Sequence, residues 1–440
     1  MAAKNNKSNS KASTKGKGTR TIRLEHITKI EGHAKLNVLV ENNRLTKVDL
    51  DVFESARFFE SLVLCRRYDD ISPLTSRICG ICSPSHSITS LMATEDAFNI
   101  KVSEQTNTLR DLLLYASVFQ NHVLHLYMLA LPDYLGFDSA IAMASKHKDV
   151  VLRALNLKKL GNELVTVVGG REIHPFTSII GGFSKVPEKE KVDDILKKFK
   201  AMRKDAEATV DLFLKLKYPK LERKESQAFA FINDKHSFYR GKINCKGEVC
   251  YSEKDYENVF EEHIQQGSSA KFVLYKGKPF FNGALARLII NGDSLSAGAK
   301  RYLDRIDFKN PFHNNAAQAI EVLHSFDRII EILEKPNFHD EDPVEYKVQA
   351  GRGVAYTEAP RGLLVHDYTY DNTGHLMKAN IITPTAQNLK QMEEDLKIMI
   401  PPMLNRPESV IKRQIEMLIR AYDPCFSCSA HFLDLKITRK

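Results

Sequence analysis

Four of the seven cysteines in this 440-residue chain form two C-x-x-C pairs, Cys79/Cys82 near one end and Cys425/Cys428 near the other. The spacing brings both sulfurs of a pair to one side of a turn, where they can hold the same metal or two adjacent ones. Each pair also stands where the sequence predicts a helix start. Ser83 and Pro84 follow Cys82, and Asp423 and Pro424 precede Cys425, which are the cap residues and first-turn prolines that open helices. The positive end of a helix favours thiolate over thiol. The commonest use of two such pairs is a structural four-cysteine zinc site. Against that use stand about 340 intervening residues, unlike a compact zinc ribbon, and a length sufficient to fold without a metal. Cys65, Cys245 and Cys250 lack the spacing. The last two could bind zinc, but two thiols without a third ligand more often bind nothing.

Composition narrows the setting in which these thiols work. An odd number of cysteines in a large chain argues against a disulfide framework and for a reducing compartment. With 43% apolar residues and no apolar run of membrane-spanning length, the chain is read as globular, with no membrane span. The formal charge of +9 raises nucleic acid until it is located. Lys4, Lys7, Lys11, Lys15, Lys17 and Arg20 stand without an acid, and Lys436, Arg439 and Lys440 face only Asp434, so the ends hold eight of the nine charges. No aromatic residue interleaves those lysines, which points away from nucleic acid. The N-terminal stretch has no apolar segment and no twin arginine, so the expected location is cytoplasmic.

The elements that must position the cysteines are legible in outline. Residues 1–20 read as a disordered basic tail. Residues 21–53 alternate as a β-hairpin around Glu41-Asn42-Asn43-Arg44. Leu109, Leu112, Leu113, Ala116, Phe119, Val123 and Leu126 recur with helical period and predict a long central helix over 104–131, stopping at Pro132. A second long helix is predicted over 189–217. Residues 225–295 read as an α+β segment with hairpins, including an alternating run over 271–281. Helices return at 313–334, 388–400 and 408–422. Residues 354–383 read as strands with a turn at Asp371-Asn372-Thr373-Gly374. The predicted fold is mainly α with α+β segments around a central bundle of long helices. Residues 21–431 form one domain, because the two cysteine pairs make sense only if distant parts of the chain meet.

The flanks of the pairs carry a family resemblance. Arg77-Ile78-Cys79-Gly80-Ile81-Cys82 with His86, and Asp423-Pro424-Cys425-Phe426-Ser427-Cys428-Ser429-Ala430-His431, resemble the two signature motifs of the nickel-iron hydrogenase large subunit. Three further stretches match in order: Ile30-Glu31-Gly32-His33, Glu358-Ala359-Pro360-Arg361-Gly362, and Thr383-Pro384-Thr385 leading to Asn388. The likeness spans about residues 23–431 and is nearer the cytoplasmic, multisubunit branch than the periplasmic one.

The resemblance implies reversible heterolytic cleavage of dihydrogen to protons and electrons at a nickel-iron centre, with carbonyl and cyanide ligands on the iron. Cys79 and Cys425 would be terminal thiolates on nickel, and Cys82 and Cys428 would bridge nickel to iron, in keeping with the soft-ligand preference of both metals. The proton would pass to a terminal sulfur, Cys425, and then to Glu31. Arg361 would stand over the open metal face, Asp423 would cap its helix and contact Arg361, Thr385 would donate to a cyanide, and His86 would hydrogen-bond Cys82. Glu60, His431 and the backbone near Ile381 would hold magnesium or a similar divalent ion. Asn121 stands where many members carry an aspartate. His122 and His125, three apart on a core helix, are read as packing residues.

With four of seven cysteines used, no iron-sulfur set remains. The resemblance therefore implies further electron-transfer subunits beside an iron-sulfur small subunit, along with nickel-insertion factors and a maturation protease that would remove residues 432–440. Three other readings carry different consequences. The quinone-site subunit of respiratory NADH dehydrogenase shares the fold without the four cysteines, a dihydrogen-sensing regulatory subunit shares the site, and a structural zinc protein shares only the thiols.

Overall fold

The computed structural model describes residues 19–55, 57–223, 226–245, 253–335 and 338–430. The extension 432–440, His431, Cys250 and most of the basic tail lie outside the described residues. Four long helices, Glu104–Leu124, Lys148–Gly169, Lys189–Leu214 and Asn314–Glu334, pack side by side as a central bundle. Leu109, Leu112, Leu113, Ala116, Phe119 and Val123 point from the first of these into the core, as their period requires. Phe119, Phe199 and Phe326 join three of the helices, with ring centroids 4.8 to 5.9 Å apart. Burying each such ring contributes roughly 1.5–3 kcal/mol.

The predicted stop at Pro132 is a difference. After Leu124 the helix widens into a π-helical turn, His125–Ala130, and resumes over Leu131–Leu135 before ending at Gly136, whose φ is 80°. Pro132 falls in the first turn of the resumed segment, directly after the widened turn. The helix Lys148–Gly169 is not anticipated by the sequence reading, although Ala154, Leu157, Leu160, Leu164, Val165 and Val168 make its buried face. At Gly161 a Cβ would lie 2.8 Å from Gln120 Cβ, so glycine sets the close approach of this helix to the central one.

Strands Thr19–Leu24, Ala34–Glu41 and Arg44–Val52 form an antiparallel sheet. Its second turn pairs Glu41 with Arg44, with Asn42 and Asn43 in the left-handed region at φ 50° and 60°, the two-residue hairpin geometry that asparagine tolerates. Thr19 and Arg20, assigned to the tail by sequence, already pair with Glu41 and Val40. The run over 271–281 divides. Lys271–Tyr275 pairs with Phe260–Ile264, while Phe280–Phe281 runs parallel to Gln227–Ile232.

Strands Gly351–Ala359, Gly362–Tyr370 and Leu376–Ile382 make a third sheet. It packs on the helix Ser83–Ala97. Helices Pro384–Met399 and Glu408–Ala421 lead to a single turn, Phe426–Ser429. Among the described residues no helix is long and apolar enough to cross a membrane.

Candidate metal centre

Cys79 is extended, at φ −146° and ψ 136°, and Cys82 takes the N-cap position of the Ser83–Ala97 helix. The expected cap, Ser83, is already helical. Its hydroxyl donates to the Gly80 carbonyl and accepts the His174 N–H at 2.9 Å. Cys425 is the N-cap of the Phe426–Ser429 turn. Asp423 caps nothing, which corrects the sequence expectation: its backbone sits at φ 51°, and its two carboxylate oxygens receive Arg361 and Gln318, each at 3.0 Å. The second pair is held against the connection between the first two strands, where the Phe426 N–H donates to the Glu31 carbonyl at 3.0 Å.

Folding brings the four cysteines together. Cys79 Sγ lies 3.7 Å from Cys425 Sγ, Cys82 Sγ lies 3.8 Å from Cys428 Sγ, and all four sulfurs fall within 4.8 Å of one another. All are buried free thiols, far outside the length of a disulfide bond. A small cavity of about 10 Å³ opens on one side of them, lined by Cys82, His86, Ala359, Pro360, Arg361, Pro384, Thr385, Cys425 and Cys428. Hydrogen bonds led by that from Cys425 hold the Cys79 thiol well below its ordinary range, while burial pushes Cys425 and Cys428 well above theirs. Four thiolates so close cannot all ionise without a cation among them, so the donor set is chemically that of a metal site.

Arg361 supplies fixed positive charge beside the sulfurs. Its Nε donates to the Asp423 carbonyl at 2.7 Å, Nη2 to Asp423 Oδ1 at 3.0 Å and Nη1 to Asn121 Oδ1 at 3.4 Å. Burial works against its charge, but Asp423 and the cysteine thiolates outweigh it and hold the guanidinium protonated. Glu31 stands at the other flank. Its Oε2 is 2.9 Å from Cys425 Sγ and accepts the Ser427 N–H at 3.2 Å, while Oε1 takes the Ser427 hydroxyl. Thr385 accepts the Cys425 N–H at 2.9 Å. His86 lines the cavity, and its Nδ1 lies 3.2 Å from His366 Nε2, which is tied in turn through Nδ1 to Tyr368 at 2.6 Å.

The divalent-ion expectation meets a different arrangement. Glu60 Oε1 accepts the Lys271 ammonium and the Ile381 N–H, both at 2.8 Å, and the same ammonium reaches Asn380 Oδ1 at 2.8 Å and Glu262 Oε1 at 3.0 Å. Among the described residues this cluster is built around an ammonium, and Ile381 meets Glu60 through its N–H. On Glu60 Oε1 a divalent ion would compete with the Lys271 ammonium, and its other expected ligand, His431, lies outside the described residues. His122 and His125 are fully buried structural groups, bonded to Glu321 at 2.8 Å and to Gln318 and Arg420 at 2.5 and 2.7 Å. Sequence reading missed Ser427, His366 and Lys271. Only Ser427 carried a signal, since it lies inside a cysteine pair.

The nickel-dependent hydrogenase family matches residues 57–151 and 220–431. The alpha chain of sulfhydrogenase 1 from Pyrococcus furiosus is 37% identical, over 94% of this chain and 98% of its own length. The beta chain of the NAD-reducing hydrogenase HoxS from Cupriavidus necator is 27% identical, over 94% of this chain and 95% of its own. Among solved structures, an NAD+-reducing [NiFe]-hydrogenase in the H2-reduced state superposes with a TM-score of 0.86 at 23% identity, covering 94% of this chain and 99% of that one.

Proposed function

The chain belongs to the nickel-dependent hydrogenase family, and from that membership we propose that it is the catalytic subunit of a nickel-iron hydrogenase interconverting dihydrogen with protons and electrons. Cys79 and Cys425 would hold nickel as its terminal ligands, and Cys82 and Cys428 would hold both the nickel and an iron carrying carbonyl and cyanide. Bound there, the metals supply the heterolytic cleavage of dihydrogen. A structural zinc site is closed on four sulfurs, whereas here the small cavity beside the sulfurs is lined also by Arg361 and Thr385.

The observation that carries the reading is Glu31 Oε2 at 2.9 Å from Cys425 Sγ. A carboxylate within hydrogen-bond reach of a thiol can take its proton. Oε2 can receive the proton from the sulfur, while Oε1 accepts the Ser427 hydroxyl and holds the carboxylate in place. Arg361, locked by Asp423, presents a charged donor to the same cavity and orients what enters it. Thr385 fixes the Cys425 backbone.

Electrons leave through a partner, because three remaining cysteines cannot hold an iron-sulfur cluster of the four-thiolate kind. The relatives from Pyrococcus and Cupriavidus are named as one of several subunits, which supports a heteromeric assembly with an iron-sulfur small subunit. Arg57 donates to the carbonyls of Arg77, Ile78 and Ser427. Phe58, Leu62 and Leu64 stand exposed close to Arg57 in sequence, apolar side chains suited to that subunit. The protein works in the cytoplasm, after nickel insertion and proteolytic removal of residues 432–440. Intact mass tests that last step, and a fully active enzyme retaining Lys440 overturns it.

Metal analysis of the matured complex, together with an infrared search for metal-bound carbonyl and cyanide bands, tests the whole reading. Nickel and iron with both bands are the expected result; one zinc per chain with neither band returns the site to a structural role. Cys425→Ser should abolish dihydrogen turnover while Cys245→Ser leaves it nearly unchanged.

A further inference from the structure

Arg287 lies on the helix Ala284–Asn291, 2% exposed, and touches none of the cysteines in the bonds it makes. Each of its five N–H groups meets an acceptor. Nε and Nη2 bind the two oxygens of Glu321 at 2.7 Å each, and Nη1 binds Glu358 Oε2 at 3.0 Å. The remaining two bonds go to main-chain carbonyls, Ala359 at 3.2 Å and Pro360 at 3.1 Å. Those carbonyls belong to the two residues immediately before Arg361, and both residues line the cavity with it.

The tip that carries Arg361 is held further on by that side chain's own bonds to Asp423 and Asn121. It is a two-residue connection in which Ala359 pairs with Gly362, and Pro360 offers no donor. The tip is also pressed onto the segment that opens the Arg287 helix. Gly362 adopts φ +129°, and a Cβ there would stand 2.3 Å from Asn282 Oδ1. Glu321 is held from its other side by His122 at 2.8 Å and His236 at 3.0 Å. Burial opposes its charge, but Arg287 outweighs that and keeps the Glu321 carboxyl well below its usual range.

We propose that Arg287 is a positioning residue for the hydrogenase reaction: by clamping the Ala359 and Pro360 carbonyls between two buried carboxylates, it sets the direction in which Arg361 enters the cavity. The inference rests on the reading of Arg361 given above. Charge balance against Glu321 and Glu358 needs only a cation. A lysine supplies the charge with three donors in place of five and without the planar fork. Because bonds from a cation to carboxylates are stronger than those to neutral carbonyls, a lysine at 287 keeps its carboxylates and releases the hairpin tip.

The test compares Arg287→Lys, Arg361→Lys and the double variant in the matured complex, reading nickel content, melting temperature, dihydrogen turnover and the infrared bands of the diatomic ligands. Arg287→Lys should retain its nickel, shift the bands in the same sense as Arg361→Lys, and lower turnover about 10–100-fold, the range for loss of an outer positioning contact. The double variant should be no more than about 2-fold slower than Arg361→Lys alone, because the two act as one unit. Unmoved bands in Arg287→Lys, with turnover falling only as nickel does, overturn the proposal, as do losses that multiply in the double variant. If Arg361→Lys itself changes neither bands nor turnover, the reading of Arg361 has failed instead. Should Arg287→Lys not fold, Glu358→Gln, which weakens one of the five bonds, is read by the same criteria and should move the bands the same way by less.

Discussion

Glu31 is divided between two neighbours, with Oε2 on the Cys425 sulfur and Oε1 on the Ser427 hydroxyl. A glutamine there keeps the shape but cannot carry a proton. Glu31→Gln is therefore expected to lower dihydrogen turnover by about 10²–10⁴-fold, the usual worth of a positioned acid-base group, while nickel content and infrared bands stay unchanged; a variant above half activity would remove Glu31 from the proton route. At this scale the sequence was informative where chemistry depends on residue type within a short motif. The four cysteines and Arg361 could be named because their flanks fix them. It failed where a role depends on a contact far along the chain. Lys271 reaches Glu60 across 211 residues, and Asp423 turns from its expected cap because Arg361 and Gln318 claim both of its oxygens.

Elements fix how closely those residues can meet. Gly32 adopts φ +81°, and a Cβ on it would stand 2.7 Å from the Ser427 backbone nitrogen, so the segment bearing Glu31 lies against the second cysteine turn with no room for a side chain. Gly32→Ala should push that turn away, lowering nickel retention and turnover together by about 10-fold or more, the scale of a misplaced ligand shell; normal nickel loading would mean that the turn can yield. The central helix carries a separate, pH-dependent strain. Asp111 on Glu104–Leu124 accepts the Ser237 hydroxyl at 2.8 Å, yet burial pushes its carboxyl up to about 6. Between pH values of about 4 and 6 the folded chain holds a proton that the unfolded chain releases, so this group's stabilisation is lost as pH rises through that window. Asp111→Asn should raise stability at pH 7 by on the order of 1 kcal/mol, with no gain at pH 4, as read from melting curves at the two values. Helix periodicity made the Glu104 and Lys189 helices legible. The π-helical turn at His125–Ala130 was not, because a widened turn keeps the same residue types and differs only in register.

The whole molecule gathers its site from sequence-distant segments, with 346 residues separating Cys79 from Cys425 and Cys82 from Cys428. A metal held by both pairs ties those segments together and binds only the folded state, so it adds stability by mass action. Metal-free protein is expected to melt about 5 °C or more lower and to expose the segments around residues 76–84 and 423–430 to proteolysis; identical melting curves would show that the fold closes without help from the site. The same separation has a meaning in time. At a synthesis rate of roughly 5–20 residues per second, Cys425 leaves the ribosome some tens of seconds after Cys79. Through that interval the first pair can fold with its neighbours as an open half-site, and the Phe426–Ser429 turn, made later, is the one that shuts it.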